Sequence, residues 1–508
     1  MIDGTPFLKL YACKRGRELD AENTQAVQER QLLNLLRRAA DTRFGKDHRF
    51  AEIRSVADYQ ARVPLRRYED MWRDYWQPRF PRLTDCTWPG TIPYFALSSG
   101  TTSGTTKYIP VSDEMNKSNS RGAKDMLVHH LRNRPHTKLL GGKNFMLGGS
   151  TDLTELAPGI YAGDLSGIVA ARLPLWARAY VYPPRELALI ADWEKKIDAL
   201  AHGILKQDIR SIAGTPSWVL LFFERLFALM PERQPKLRAF FPKLELVTHG
   251  GVNFAPYRPQ FEALLEGTHA ETREVYAASE GFIASADRAP GEGMRLAAGH
   301  GNFFEFVPVT ELASTNPRRH WAGNIELGIE YAVVVASCAG LFAYVLGDTV
   351  KFVDRKPPRL LVTGRTSYSL SSFGEHLTGD EIEDAVSTAA IAIGAAIADF
   401  SVGSVFPDAT RSRGYHLYVV EFTGPAPDVP RAQHFLDEID TVLSRRNDDY
   451  RAHRSGGFGL DPPRLKPVPR GTFEAWMKSR GQLGGQHKVP RVIANPELFN
   501  SLRGFVER

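Results

Sequence analysis

The chain has 508 residues, 43% apolar and 24% charged, with a formal net charge of +6. That balance excludes intrinsic disorder, and the length predicts two or three domains with enough buried surface for an enclosed site. The positive residues are scattered in short clusters such as Arg37-Arg38, Arg66-Arg67 and Arg318-Arg319-His320, so no nucleic-acid tract is expected.

Three cysteines (Cys13, Cys86, Cys338) lie far apart without metal-ligand spacing, which reads as free thiols in a cytoplasmic chain. The opening MIDGTPFLKLYACKRGREL has no secretory h-region. The longest uncharged run, between Glu330 and Asp348, is about 17 residues, just under a spanning length. Its valines, broken by Ser337, Gly340 and Gly347, predict two buried strands joined by a bend, and no membrane segment is expected.

The first ninety residues read mainly as helix, with Leu32, Leu35, Leu36, Ala39 and Phe44 near the spacing of one helical face. From Ile92 to Glu330 the character alternates. Short apolar runs at 244–247 and 302–307 suggest strands, and 218–230 reads as a helix, which together predict an α/β body. A second segment begins near Gly364-Arg365. It holds a polar loop (366–374), an Ala-rich helix from 380 to about 398, an alternating strand over 415–422 and a helix over 429–446. These predict a separate α+β domain of roughly 140 residues, giving boundaries of 1–365 and 366–508.

The most informative segment is FALSSGTTSGTTKYIPVS. Between an apolar run and the closing Lys107, every residue from Ser98 onward is Ser, Thr or Gly. Gly100 and Gly104 permit turns whose N–H groups converge on an anion, hydroxyls from Ser98, Ser99, Thr101 and Thr102 can donate to phosphate oxygens, and Lys107 adds a full charge. A flexible linker is the alternative, but the stretch is short and lies between apolar segments. Nothing matches GxxxxGK[ST], GxSxG or HExxH, which removes the P-loop, serine-hydrolase and zinc-protease readings.

SSGTTSGTTK resembles the phosphate loop of adenylate-forming enzymes, the superfamily of acyl-CoA ligases, luciferases and peptide-synthetase adenylation domains. Its doubled SGTT pattern is most similar to the auxin-responsive acyl acid amido synthetases. Four more segments of this sequence fit that resemblance in the same order. YAASEGFIA resembles YxxSEG, which implies Tyr276 on adenine, Glu280 on a Mg²⁺ ion bridging the phosphates, and Ala277 and Ser279 alongside the nucleotide. YVLGD resembles the motif whose Asp grips the ribose hydroxyls, here Asp348. The related pattern LYRYRxGD carries arginines where this chain has Ala343 and Val345. Gly364-Arg365 and GEHL resemble the hinge and the opening of the small domain, with Arg365 beside the nucleotide and His376 in place of a lysine. QHKVPR resembles the terminal QxKxPR motif, which implies that Lys488 meets the α-phosphate. THGGVNF sits where the superfamily has a Gly-rich turn, placing Gly251 at the adenine and acyl pockets. Taken singly, Tyr276 reads as a core aromatic, Glu280 as a helix N-terminal charge, Lys488 as a solvated charge, and Asp348 as part of a strand followed by a Gly-Asp turn.

The resemblance thus implies an α/β adenylate-forming fold with a large N-terminal α/β domain and a smaller, mobile C-terminal α+β domain. The implied activity uses ATP and Mg²⁺ to activate a carboxylic acid as acyl-adenylate and then passes the acyl group to an amine, an amino acid among the candidates. Catalysis would fall to Lys488, Lys107 and Glu280, in a monomer. Two alternatives remain open from the sequence. One passes the acyl group to coenzyme A or a carrier-protein thiol; the other is a degenerate nucleotide-binding protein without turnover. Trp218 and Phe222 hint at an apolar or aromatic acyl pocket, though such residues also serve as core.

Overall fold

The computed structural model describes residues 2–99, 106–148, 152–188, 190, 193–251, 254, 257–366, 369–370, 375, 377–406, 414–447, 450–451, 454, 460–482, 488–493 and 495–507. The chain divides into two compact units, Met1–Val362 and Thr363–Arg508. No helix among the described residues is long and apolar enough to cross a membrane.

The larger unit opens with helices α1 (Thr5–Asp20) and α2 (Thr24–Ala39). The predicted face of α2 is buried: Leu32, Leu35, Leu36 and Ala39 are inside, and Phe44 follows them into the core. A buried polar residue, Gln28, locks the helix to the sheet. Its amide donates to the carbonyls of Ala298 (2.8 Å) and Asn302 (2.9 Å), and its Oε1 accepts the Phe304 N–H at 2.9 Å. Each polar group is thus satisfied, which removes the penalty of burying it.

Strands β1 (Tyr94–Ser99) and β2 (Thr106–Val111) pair antiparallel and lead into the long helix α3 (Asp113–Asn133). Next come β3 (Lys143–Leu147), β4 (Leu153–Ala157), β5 (Ile160–Gly163) and β6 (Val181–Tyr182). Helices α4 (Trp193–Ile204), α5 (Pro216–Ala228) and α6 (Arg258–Leu265) alternate with β7 (Ile209–Gly214), β8 (Leu246–Gly250) and β9 (Glu271–Ala278). The unit continues as β10 (Gly281–Ala286), β11 (Met294–Leu296), β12 (Asn302–Pro308), β13 (His320–Trp321), β14 (Glu330–Ser337), β15 (Tyr344–Arg355) and β16 (Pro358–Arg365).

Two sheets result. The smaller has the order β2-β1-β5-β4, and the larger, twelve strands among the described residues, runs β13-β12-β14-β15-β16-β11-β10-β9-β8-β7-β3-β6. Strands β6, β3, β7, β8 and β9 pair in parallel, which requires the crossover helices, whereas β9-β10, β10-β11, β11-β16, β14-β15, β12-β14 and β12-β13 pair antiparallel. The α/β body expected from the sequence is therefore present.

The bend expected between 330 and 348 is the β14–β15 connection. Gly340 sits there at φ +89°, and an added Cβ would stand 2.5 Å from Thr87 Oγ1 and 2.8 Å from that residue's carbonyl carbon, so the approach needs glycine. The helix expected over 218–230 begins two residues earlier at Pro216, whose fixed φ suits the first turn.

Helix α1 is clamped to α3 through a buried carboxylate. Arg15 donates to both oxygens of Asp125 (2.9 Å each), and His300 Nε2 lies 2.8 Å from Oδ2. Burial pushes the Asp125 carboxyl up, but His300 and Arg15 outweigh it and hold the group at about 2. A depressed carboxylate stabilises the fold above its unfolded value and loses that contribution as pH falls from about 4 towards 2. Asp125→Asn is expected to cost about 2 kcal/mol near neutral pH, and urea unfolding should show the gap from the parent closing near pH 2. A gap of constant size across that range contradicts the clamp.

The smaller unit contains β17 (Ser369–Leu370), β18 (Leu377–Thr378), α7 (Gly379–Ala392), β19 (Ile397–Val405), β20 (Tyr415–Phe422), α8 (Val429–Arg446), β21 (Arg464–Val468), α9 (Thr472–Ser479), β22 (Val492–Ile493) and α10 (Pro496–Val506). Its sheet, β21-β20-β19-β22, alternates between two cores. Phe400, Val402, Tyr418 and Val420 face Ile382, Val386, Phe435 and Ile439, whereas Val405 and Val419 face Phe473, Trp476, Phe499 and Leu502. The Ala-rich helix ends at Ala392, short of the expected 398. Gly394 takes φ +59° and the Ala395 N–H bonds back to Ala390, a left-handed stop after which β19 begins.

Candidate active site

The Ser/Thr/Gly segment joins β1 to β2. Gly100, Thr101, Thr102 and Gly104 lie outside the described residues, and Ser98 and Ser99 are described by main chain alone. In register, Ser98 pairs with Lys107 and Ser99 with Thr106, so the segment is the connection of a hairpin with Lys107 at its base. The Lys107 ammonium stands 3.8 Å from Glu69 Oε1 and 5.2 Å from the centre of the Tyr68 ring. Tyr68 in turn accepts the Tyr108 N–H at 3.0 Å, and burial pushes its phenol up to about 12.

YAASEG is the turn between β9 and β10. Ala278 pairs with Gly281, leaving Ser279 and Glu280 at the tip. Ala277 is exposed, Ser279 is buried and Glu280 is half-buried. Tyr276 is buried, and its hydroxyl donates to Asp348 Oδ2 at 2.8 Å across 72 residues of sequence. Glu280 meets a second tyrosine. Burial, and then the charge and hydrogen bond of Glu280, push the Tyr344 phenol well above its usual range. A neutral Tyr344 hydroxyl therefore donates to the Glu280 carboxylate and orients it.

A bulge brings Asp348 to this turn. Val345 pairs with Val334, yet the next register places Thr349 opposite Ala332, so β15 carries extra residues over 346–348. Gly347, at φ +95°, supplies the positive φ, and the bulge turns Asp348 towards Tyr276.

The two positions at which the LYRYRxGD pattern carries arginines are buried here. Ala343 is 0% and Val345 8% exposed. Ala343 takes φ +48° and its N–H bonds Tyr59 Oη at 2.7 Å. The main chain of Arg66 bridges Tyr344, donating to the Ala343 carbonyl (2.9 Å) and accepting the Val345 N–H (2.8 Å). Its guanidinium pairs with Asp74 at 2.8 Å. An N-terminal segment thus braces the strand from which Asp348 projects.

Gly251, at φ +82°, follows β8, and an added Cβ on the preceding Gly250 would stand 2.2 Å from the Val275 carbonyl oxygen. Beside this turn His249 stacks on Phe254, ring centroids 3.6 Å apart, and burial followed by Arg258 lowers its pKa to about 3. Glu274, in register with His249, is raised to about 7 by burial against the opposing pull of Arg258. Isolated histidines and glutamates in the sequence gave no sign of this pair. Phe222 is fully buried against Phe145 and Trp218 is 8% exposed, so Phe222 serves as core. Arg365 ends β16, its side chain outside the described residues, as are Gly374 and His376. Lys488 lies exposed in the smaller unit. Among the described residues no group of three or more His, Cys, Asp or Glu could hold a metal ion.

The architecture is a fold shared with solved ligases. It superimposes on an acyl acid amido synthetase, GH3.15, with a TM-score of 0.81 at 19% identity, covering 97% of this chain and 95% of that one. It also matches 2-hydroxyisobutyryl-CoA ligase in its postadenylation state, with a TM-score of 0.63 at 16% identity, covering 96% and 92% of the two chains. Within that class the chain belongs to the GH3 family: residues 14–270 match the family's N-terminal domain, 296–365 its central domain and 380–497 its C-terminal domain. Among curated relatives, indole-3-acetic acid-amido synthetase GH3.3 of Arabidopsis thaliana is 25% identical over 210 residues, 39% of this chain and 35% of that protein. The chain thus spans about a third of the length of the first curated relatives it matches. The family and fold expected from the sequence motifs are both present.

Proposed function

We propose that the chain is an ATP-dependent ligase that activates a carboxylic acid as acyl-adenylate and transfers the acyl group to an amine, such as an amino acid, releasing AMP and pyrophosphate. The observation that carries this reading is the convergence of Tyr276, Asp348, Glu280 and Tyr344 at one turn, joined by hydrogen bonds.

Asp348 is suited to accept the ribose hydroxyls while Tyr276, tethered to it, lies alongside adenine with Ala277, Ser279 and Gly251. The Ser98–Lys107 segment and the Lys107 ammonium hold the triphosphate. Glu280 fits Mg²⁺ in its chemistry: a half-buried hard carboxylate, oriented by a tyrosine hydroxyl, with substrate phosphates to complete the coordination. Mg²⁺ held there would neutralise charge on the phosphates. A carboxylate oxygen attacks the α-phosphorus in line, pyrophosphate leaves, and Lys488 offsets the charge developing on the α-phosphoryl group. The amine then attacks the acyl carbon, the C–O bond to AMP breaks, and the amide forms with loss of the amine proton. The enzyme works as a cytoplasmic monomer.

Incubation with ATP, Mg²⁺ and a panel of aromatic and aliphatic acids, with either the twenty amino acids or coenzyme A, followed by mass analysis, tests the proposal. An acyl-amino acid and AMP are expected. A thioester as the sole acyl product, or no product from any acid, contradicts it.

A further inference from the structure

Lys488 lies in a segment with little regular structure of its own. The strand that follows it, β22, has two residues, Val492 and Ile493, paired in parallel with Val402 and Gly403. Pairing this short is marginal by itself.

Side chains supply the missing fixation. The guanidinium of Arg491 pairs with the Asp399 carboxylate and lies over the Phe400 ring, 4.8 Å from its centre. Both partners are largely shielded, with side chains 18% and 16% exposed, so the pair is screened less than a surface ion pair. Asp399 is itself fixed, since its Oδ1 accepts the Phe400 N–H at 2.9 Å. The Ser401 hydroxyl donates to the Pro490 carbonyl at 2.8 Å, and the Val402 N–H to the Arg491 carbonyl at 2.8 Å. Pro490 has a locked φ and restricts Val489 to extended conformations, while Val489 packs against the cluster containing Ile493 and Phe499. The chain is therefore pinned two residues beyond Lys488, and a stiff Val-Pro lead carries that orientation back to it.

We infer that the Asp399–Arg491 ion pair is a latch that positions Lys488 for adenylation. Asp399 and Arg491 are positioning residues that act through Lys488, and the inference rests on the role given to Lys488 above. It predicts a specific pattern of non-additivity. In ATP–pyrophosphate exchange with indole-3-acetate or benzoate, whichever the parent accepts, Asp399→Asn should lower kcat roughly tenfold to a hundredfold, the scale of a slightly misplaced catalytic group. The KM for ATP should stay within about twofold. In a Lys488→Ala background, Asp399→Asn should cost nothing further. Amide exchange over 488–493 should quicken in Asp399→Asn while β19 and β20 stay protected. The charge-swapped Asp399→Arg/Arg491→Asp chain should recover part of the rate.

If Asp399→Asn matches the parent while Lys488→Ala is impaired, the latch is overturned and the role of Lys488 stands. An equal loss in both backgrounds makes Asp399 merely structural and also overturns it. If Lys488→Ala matches the parent, or no acid supports exchange, the underlying reading fails and the latch with it.

Discussion

Lys488→Ala is expected to lower acid-dependent ATP–pyrophosphate exchange by about two to three orders of magnitude, the usual cost of removing one donor that meets transition-state charge. ATP affinity should change by no more than a few-fold, because the nucleoside contacts are proposed for Tyr276 and Asp348, which lie with their hydrogen bond in the larger unit. Equilibrium binding of a non-hydrolysable ATP analogue, measured beside the exchange rate, separates the two quantities. A large loss of affinity with an unchanged maximal rate would instead make Lys488 a ground-state contact. The physical basis is local: the lysine is exposed and lies two residues before the point at which the chain is pinned to β19.

Glu280→Gln is expected to lower exchange by about a hundredfold, the scale of losing one ligand of a phosphate-bridging cation. It should also move the Mg²⁺ requirement to higher concentration at fixed ATP. Glutamine keeps an oxygen for the Tyr344 hydroxyl, so the turn between β9 and β10 should hold its shape and the melting temperature should stay close to the parent's. This separates charge from geometry. A variant with the parent's Mg²⁺ dependence removes Glu280 as the metal carboxylate, whatever its rate.

The parts of this site legible in the sequence are those whose chemistry is contiguous. The doubled SGTT ending in Lys107, YAASEG and QHKVPR each concentrate several functional groups within ten residues, and together they specify the family. Periodicity likewise exposed the buried face of α2 and the two strands around Gly340, because both depend on local alternation. Partners distant in sequence were hidden. Nothing in YVLGD announces that Gly347 makes a bulge that sends Asp348 to Tyr276, or that Arg66 braces the same strand through its main chain. No sequence pattern singles out Asp399, and its pairing with Arg491 appears only once β22 is laid beside β19. The overlong helix expected to 398 had a different cause: the alanines favour helix on both sides of Gly394, but the left-handed glycine ends it. Sequence patterns report which residues are buried; the fold alone reports against what.

The central claim is attack of a substrate carboxylate oxygen on the α-phosphorus of ATP, and oxygen labelling tests it most directly. With a substrate acid carrying ¹⁸O in both carboxylate positions, turnover with an amine in unlabelled water should place one ¹⁸O in each AMP and none in pyrophosphate. Label in inorganic phosphate or pyrophosphate, or AMP free of label while amide accumulates, would contradict the adenylate route.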